Sequence, residues 1–372
     1  MTKSHYVWAA ALGAVVIGLF AFLFLQPTPN EGEADTPRVA VNLPLSGPIA
    51  VFMEDIPKAL TDGLYDESQG AIAMKPDVQD NTGTPSGAVT ALRAQQARGF
   101  DIYISGSSEM SSALLGELDR SGVPHFVVAF DAFMVERGKS RLRLLPNYKT
   151  EAPLWIRAAQ APGAKRIAAI TLNNAPIEEQ FASLILPPLR ASGAEVQQFK
   201  FEWEGTNYAL LVSQAAAFKP DVILVSGYSV HLLPIKLELN RQGLAKVRTV
   251  MALDYVDLLH NGSDKAQLRD TYFMCPDFEV RTPGSPGDKW ASEWRRRYGK
   301  EPAYPAAYAY DTGRLIARAA AKSPRPSHAD LLAAQPFDGV TGRVRLDAKG
   351  DLVSTLGVCI LNSDGKAARA LQ

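Results

Sequence analysis

The chain has 372 residues, in which 39 lysines and arginines balance 39 aspartates and glutamates. Because the charges balance and the basic residues form no long run, composition gives no electrostatic basis for nucleic-acid binding. The hydrophobic fraction of 47% is that of an ordinary globular protein, and a chain of this length usually divides its core between two lobes. We therefore expect a two-lobed globular protein that has no nucleic-acid partner.

A nearly unbroken apolar run extends from Tyr6 to Leu25. It exceeds the roughly 7 to 15 residues of a signal-peptide core and approaches the ~20 residues that span a bilayer. Lys3 precedes the run and acidic residues follow it at positions 31, 33 and 35, a bias that leaves the N-terminus in the cytoplasm. We predict an uncleaved signal anchor over residues 1–26, which tethers a periplasmic protein to the inner membrane. The alternative is a cleaved signal peptide and release into the periplasm.

A polar, proline-rich linker is predicted at residues 27–37, and strands alternate with helices after it. Strands are predicted at residues 38–45, 71–79 and 101–105, and the helices that follow them end near residues 68, 98 and 120. A further apolar strand ends at Val128. Such alternation requires right-handed crossovers and a parallel sheet that is covered on both faces. The pattern predicts an α/β lobe.

The strand at residues 101–105 leads through Gly106, Ser107 and Ser108 into a helix. Glycine lets the backbone turn tightly, and a serine hydroxyl can cap the free amides of the helix. The N-terminus of a helix can also bind a carboxylate or phosphate without the help of lysine or arginine. The turn is therefore either a small anion site or an ordinary capped connection.

The same unit occurs again in the second half of the chain. The sequence DVILVSGYS at Asp221 repeats the order of DIYISGSS at Asp101, with an acidic start, an apolar strand and a Ser-Gly turn. Further strands are predicted at residues 166–171, 195–201, 247–253 and 271–275, and a closing hairpin is predicted between residues 342–347 and 354–362. Ligands of open α/β sheets bind beyond the carboxyl ends of the strands, so two such lobes predict a shared cleft.

Cysteine and histidine give little support for other functions. Cys275 and Cys359 lie in two apolar runs, and we expect buried free thiols rather than a disulfide. The five histidines are scattered, and the chain has no H-E-x-x-H, G-x-S-x-G or phosphate-loop pattern. We therefore expect no enzymatic activity, catalytic residue, cofactor or metal site.

Six segments in a fixed order resemble those of a known family. They are VAVNLPLSGP, DNTGTPSGAVTALR, ISGSSEMSSA, FKPDVILVSGYSVHLLPIKLELNRQGL, AAYAYDTGRLIARA and FDGVTGRVRLDAKGDL. Over residues 38–366 the chain resembles type I periplasmic binding proteins, the substrate-binding proteins of branched-chain amino acid (Leu/Ile/Val) ABC transporters. The resemblance implies two Rossmann-like lobes with parallel sheets, joined by crossing strands near residues 142–147, 272–276 and 339–345. Residues 38–145 plus 277–340 would form lobe 1, and residues 146–276 plus 341–372 would form lobe 2.

The resemblance also implies a site for a zwitterionic ligand. Serine hydroxyls and helix amides of lobe 1, at Ser107 and Ser108, would hold its carboxylate. Asp254, which ends the strand VMALD, takes the position of the glutamate that accepts from the ligand amine in the family, and Tyr228 follows the glycine of the second turn. The predicted ligand-binding residues are Ser46, Ser107, Ser108, Ala129, Phe130, Asp131, Asn174, Tyr228 and Asp254.

Two segments depart from the family pattern. Residues 129–131 read Ala-Phe-Asp where amino-acid binders have small residues and a threonine. Asp131 would repel a carboxylate or hold a second cationic group. Asn174 begins an Asn-Ala-Pro segment where the family usually carries Tyr-Gly. These differences bear on which ligand is bound.

The sequence thus predicts an extracytoplasmic solute-binding protein. It would capture a small amino-acid-like ligand, an amino acid or a related amide or carboxylate, and deliver it to an ABC permease in the inner membrane. The alternative is an envelope regulatory or ligand-sensing module that has the same fold but is not coupled to transport.

Overall fold

The computed structural model describes residues 36–371 except for residues 74, 144, 161, 162, 261, 354 and 355. The chain from Pro37 onward forms one compact unit. The predicted signal anchor and nearly all of the predicted linker lie outside the described residues. Among the residues that are described, no helix is both long and apolar enough to cross a membrane.

The first half of the chain builds a five-stranded parallel sheet with the strand order β2-β1-β3-β4-β5. The central strands β1 and β3 are buried at every position, as expected of parallel strands that are covered on both faces. The strands are β1 (Val39–Leu43), β2 (Asp77–Asp80), β3 (Ile102–Gly106), β4 (His125–Val128) and β5 (Arg141–Leu142).

The second sheet has seven strands in the order β14-β13-β10-β9-β8-β6-β7. Its strands are parallel except for β13, which pairs antiparallel with both β10 and β14. The strands are β6 (Arg166–Leu172), β7 (Glu195–Phe201), β8 (Val222–Ser226), β9 (Arg248–Met251), β10 (Thr271–Pro276), β13 (Leu356–Leu361) and β14 (Ala367–Leu371). The predicted α/β class with mainly parallel sheets is confirmed.

Helices connect the strands of both sheets. Those of the first half are α1 (Ala50–Met53), α2 (Ile56–Glu67), α3 (Pro85–Arg98) and α4 (Ser108–Ser121). Those that follow are α5 (Tyr148–Gln160), α6 (Ala175–Gln180), a π-helical turn (Phe181–Ile185), α7 (Leu186–Ala191), α8 (Tyr208–Ala217), α9 (Ser229–Arg241) and α10 (Tyr255–His260). A 3-10 turn (Asp277–Val280) then leads to α11 (Pro286–Tyr298), α12 (Tyr304–Ala320) and α13 (His328–Ala333).

The long helix α12 packs closely against α2, although the two are far apart in sequence. Gly63 of α2 and Gly313 of α12 lie at the point of contact. A Cβ atom at Gly63 would collide with the carbonyl oxygen of Tyr310, and one at Gly313 would collide with that of Leu60. The absence of side chains therefore permits the close approach of the two helices. One continuous cluster of buried apolar residues includes this contact and both sheets.

The predicted hairpin between residues 342–347 and 354–362 is reduced to an antiparallel bridge between Leu346 and Leu352, and its second strand pairs elsewhere. A two-stranded sheet instead pairs β11 (Phe337–Gly339) with β12 (Gly342–Val344), while β13 enters the seven-stranded sheet. Strand β12 is mostly exposed, whereas β13 is mostly buried and needs partners inside a sheet. Proximity in sequence therefore does not decide the pairing of β13.

The expectation of free thiols is also wrong, because Cys275 and Cys359 form a disulfide. Antiparallel pairing of β10 with β13 brings the two residues together, with their Cα atoms 6.0 Å apart, across 84 positions of sequence. Both residues are completely buried. The bond joins the last parallel strand of the sheet to the C-terminal strand pair.

Candidate functional site

Two helix N-termini flank the predicted cleft, one beyond each sheet. Helix α4 follows β3 through Gly106 and Ser107, and α9 follows β8 through Gly227 and Tyr228. Neither Ser107 nor Tyr228, at the N-cap positions, uses its side chain to cap its helix. The simple capping role that was the alternative for Ser107 is therefore not observed, and the first turns of both helices remain available to a ligand.

A cavity lies between these two turns, and six of the nine predicted residues line it. Helix α1 and the segment before it supply apolar side chains, and Asp257 and Ser229 are further polar residues in the lining. The predicted residues in the lining are Ser107, Ser108, Ala129, Phe130, Tyr228 and Asp254. The structure thus brings together residues from both halves of the chain, although ligand binding by any of them stays a prediction.

The other three predicted residues have different surroundings. Ser46 is exposed and makes a hydrogen bond with the Asp80 carboxylate. Asp131 accepts a hydrogen bond from the backbone of Phe133 at 2.9 Å, within its own loop. Asn174 does not line the cavity either.

Asn174 caps α6 by accepting from the backbone amide of Ile177 at 3.2 Å. Burial, followed by the charges of Asp254 and Glu109, raises the pKa of Tyr228, and a hydrogen bond with the Asn174 side chain offsets part of this rise. Asn174 therefore contacts a residue of the cavity lining, Tyr228, but does not line the cavity itself.

Arg143 supports the loop that forms one wall of the cavity. Its guanidinium is fully buried and donates to the carbonyl oxygens of Ala129 at 2.8 Å and Asp131 at 2.6 Å. The side chain of Phe130, between these two carbonyls, lines the cavity. The sequence analysis missed Arg143, because its ion-pair partner Asp351 lies 208 positions away.

A row of aromatic rings passes beside the cavity. The ring of Phe130 lies 5.7 Å from that of Tyr148 and 5.8 Å from that of Phe52, measured between centroids. The ring of Phe52 in turn lies 5.6 Å from that of Tyr304. The hydroxyl of Tyr304 is buried and has no hydrogen-bond partner among the described residues. This row gives the site an apolar wall with one unsatisfied polar group.

Three buried carboxyl groups lie on the side of the seven-stranded sheet. Glu151, Asp254 and Asp257 are 1%, 5% and 4% exposed. Burial raises the pKa of Asp254 to about 7, and burial together with the charge of Asp254 raises the pKa of Glu151 to about 8. Burial, followed by the charges of Asp254 and Glu279, raises the pKa of Asp257 well above its ordinary value. This side of the cleft therefore disfavours additional negative charge.

Patterns in the sequence could have revealed two of these carboxyls. Asp257 follows Asp254 by three positions at the start of α10, a spacing at which helical side chains are neighbours. Glu151 lies on the buried face of α5 together with Tyr148 and Trp155, at helical spacing. No group of three or more His, Cys, Asp or Glu side chains in the described part of the chain is arranged to hold a metal ion.

Comparisons with known proteins identify the family of the chain. A family model described as "Periplasmic binding protein" matches residues 36–366. The chain therefore belongs to the periplasmic binding protein family, and the resemblance inferred from its segments is confirmed. No match is found among curated protein sequences.

Solved structures share the fold at low sequence identity. The leucine binding protein LivK of Thermotoga maritima is 19% identical, with a TM-score of 0.75 over 90% of this chain and 98% of that one. The branched-chain amino acid binding protein LivJ of Streptococcus pneumoniae, in complex with isoleucine, is 20% identical, with a TM-score of 0.74 over 89% and 97%. An ABC transporter solute binding protein of Rhodopseudomonas palustris, in complex with 3,4-dihydroxybenzoic acid, is 19% identical, with a TM-score of 0.76 over 90% and 96%.

Proposed function

We propose that the protein is an extracytoplasmic solute-binding protein that captures a small amino-acid-like ligand and delivers it to an ABC permease of the inner membrane. One observation carries the proposal: a single cavity is lined by the serine-bearing N-terminus of α4 on one side and by the Asp254 carboxyl group on the other. The names of the similar structures support the same function, since they are a leucine binding protein, a branched-chain amino acid transporter substrate binding protein and a solute binding protein of an ABC transporter.

The two sides of the cavity favour one orientation of the ligand. A carboxylate beside Ser107 and Ser108 would accept from their hydroxyls and from the free amides of α4, a helix of 14 residues. The ligand ammonium would then donate to Asp254. Charge-assisted hydrogen bonds of this kind fix the orientation and the enantiomer of a ligand.

Ligand binding would be coupled to closure of two lobes. We assign residues 38–145 plus 277–340 to lobe 1 and residues 146–276 plus 341–372 to lobe 2, with hinge motion at the crossing segments. Because the cavity takes Ser108 from one proposed lobe and Asp254 from the other, a ligand that touches both would stabilise the closed state.

The family is periplasmic, and we propose that residues 1–26 tether the protein to the inner membrane as an uncleaved anchor. Cleavage and release remain the alternative. Mass spectrometry of the N-terminus of the native protein separates the two, since a mature chain that lacks the apolar run contradicts the anchor. Recovery of a sensor or a cell-wall enzyme with the protein, and no permease, would favour a regulatory module instead.

Isothermal titration calorimetry of the full chain tests the central proposal. Amino acids, small amides and carboxylates are titrated into the wild type and into the double variant Ser107→Ala/Ser108→Ala. We expect the affinity for the ligand to fall by about 10-fold or more in the double variant, because a hydrogen bond to a charged group contributes ~1.5–3 kcal/mol.

The matched control is Ser86→Ala, an exposed serine in the first turn of α3. This change is expected to leave the affinity as it is. Undiminished affinity in the double variant would contradict the carboxylate site, and binding of no compound in the panel would contradict the proposed function itself.

A further inference from the structure

The ionisable side chains that line the cavity are both acidic. Asp254 and Asp257 both line it, and none of its lining residues in the described part of the chain is a lysine, arginine or histidine. A zwitterionic ligand would bring one ammonium group to two carboxyl groups. A buried charge that stays unpaired is costly, so each carboxyl group keeps its proton unless a cationic group lies beside it, and a second cationic group on the ligand would let both ionise.

No lysine, arginine or histidine among the described residues forms an ion pair with Asp257. The charges that act most strongly on Asp257 are those of Asp254 and Glu279, both negative. Glu279 already pairs with His260, whose Nε2 lies 2.9 Å from the glutamate oxygen. Asp257 has a hydrogen bond with the Ser229 side chain, which is neutral. A positive charge that lets Asp257 ionise would therefore come from the ligand.

The rest of the cavity also suits a cation. The aromatic side chains of Phe52, Phe130 and Tyr228 line it, and aromatic rings attract cations through their electron-rich faces. The Tyr304 hydroxyl, fully buried and without a hydrogen-bond partner among the described residues, lies within the electrostatic influence of Asp254 and Asp257. Tyr304 does not itself line the cavity.

Building on the proposed function, we propose that the ligand is a diamino carboxylic acid that carries one positive charge in excess. Its carboxylate binds at Ser107 and Ser108, while its two cationic groups bind at Asp254 and Asp257. Asp257 is then the residue that determines specificity, because Asp254 alone would serve an ordinary amino acid.

L-Ornithine and two of its analogues test this assignment by calorimetry on the full chain. L-Norvaline is L-ornithine without the side-chain ammonium, and 1,4-diaminobutane is L-ornithine without the carboxylate. We expect L-ornithine to bind ~10- to 100-fold more tightly than either, the range for one lost charge-assisted hydrogen bond. This comparison uses wild-type protein and does not depend on whether a variant folds.

The variant Asp257→Asn then tests whether Asp257 causes the preference for L-ornithine. This variant is expected to bind L-ornithine no more tightly than L-norvaline, and its affinity for L-norvaline is expected to equal that of the wild type. The variant Asp257→Glu is expected to restore the preference for L-ornithine. Asp338→Asn is the control, since that side chain is 79% exposed. It is expected to leave all three affinities unchanged.

The outcomes separate the inference from the function on which it rests. If L-norvaline binds as tightly as L-ornithine, or if the preference survives in Asp257→Asn, the diamino assignment is overturned while the proposed function stands. Equal affinity for 1,4-diaminobutane and L-ornithine would overturn the carboxylate part of the assignment. If no amino acid, amide, carboxylate or amine binds, both proposals are overturned.

Discussion

Nε of Arg143 lies 2.7 Å from Oδ1 of Asp351, in an ion pair whose guanidinium is completely buried. The backbones of the two segments also meet, because the amide of Arg143 donates to the carbonyl of Gly350 at 2.9 Å. Since the same guanidinium holds the carbonyls of residues 129 and 131, the pair connects the cavity wall to the chain just before β13. Its loss should therefore affect stability and the site together.

The variant Asp351→Ala is expected to lower the free energy of unfolding by ~3–5 kcal/mol, because it leaves the Arg143 charge buried and unpaired. Urea denaturation measures the loss. The control is Asp338→Ala, which removes an exposed ion pair with Arg343 and is expected to cost ~0–1 kcal/mol. Equal stability of the two variants would show that the Arg143 pair adds no more than a surface pair does.

The variant Gly313→Ala is expected to lower the free energy of unfolding by ~1–3 kcal/mol, because the added methyl group forces α12 away from α2. Thermal and urea denaturation check the change. Gly116→Ala is the matched control, an exposed position within α4 where a Cβ meets no close neighbour. There the better helix propensity of alanine is expected to raise stability by up to ~1 kcal/mol. A neutral effect at Gly313 would contradict the close helix contact.

The raised pKa values of the cleft carboxyls predict a dependence of stability on pH. Burial raises the pKa of Glu151 from an ordinary value of 4.5 to about 8, so the folded state binds a proton that the unfolded state has released. Stability from this group is complete below pH 4.5 and is lost as the pH rises through about 8. Asp254 acts in the same direction between 3.8 and about 7.

Urea denaturation at pH 5 and pH 9 of the wild type and of Glu151→Gln measures this effect. The variant is expected to lose less stability between the two pH values, since its amide does not ionise. The comparison removes the contributions of groups common to both proteins, including the other groups at or beside the three buried carboxyls Glu151, Asp254 and Asp257. These are Tyr148, Gln180, Tyr228, Asp254, Asp257 and Tyr304. Identical pH profiles would contradict the assignment to Glu151.

Removal of the disulfide is expected to lower the stability of the folded protein. The double variant Cys275→Ala/Cys359→Ala is expected to unfold with a free energy ~2–5 kcal/mol lower than that of the wild type, because the reduced chain gains freedom in the unfolded state. Urea denaturation without reductant measures the difference. Addition of reductant to the unfolded proteins should change the refolding equilibrium of the wild type only. A response of the double variant to reductant would point to another cause.

Features with local causes were predictable from sequence. The end of helix α3 is predicted at its observed position, because Gly99, with φ of +76°, ends the helix, and Pro85 suits its first turn. The strand, turn and helix around Gly106 were located within about two residues for similar reasons. Gly122, which adopts φ of +70°, marks the end of that helix.

Features that depend on distant partners were not predictable in the same way. The sequence around Cys359 shows an apolar strand, but only the assembled sheet decides that it pairs with β10 rather than with β12. Ser107 and Asp254 were recognised from the family pattern. Asp257 and Arg143 were missed, because the role of each depends on residues that the fold brings near.

The antiparallel pair β13 and β14 has a consequence for the behaviour of the protein in a crowded compartment. Without these two strands, β10 would become the border of the sheet and present a row of unpaired amides and carbonyls from an apolar segment. Such a border is a template for strands of other chains. The C-terminal pair replaces it with β14, a short and half-exposed strand that bears Arg369. We therefore expect the last two strands to limit the addition of strands from other chains.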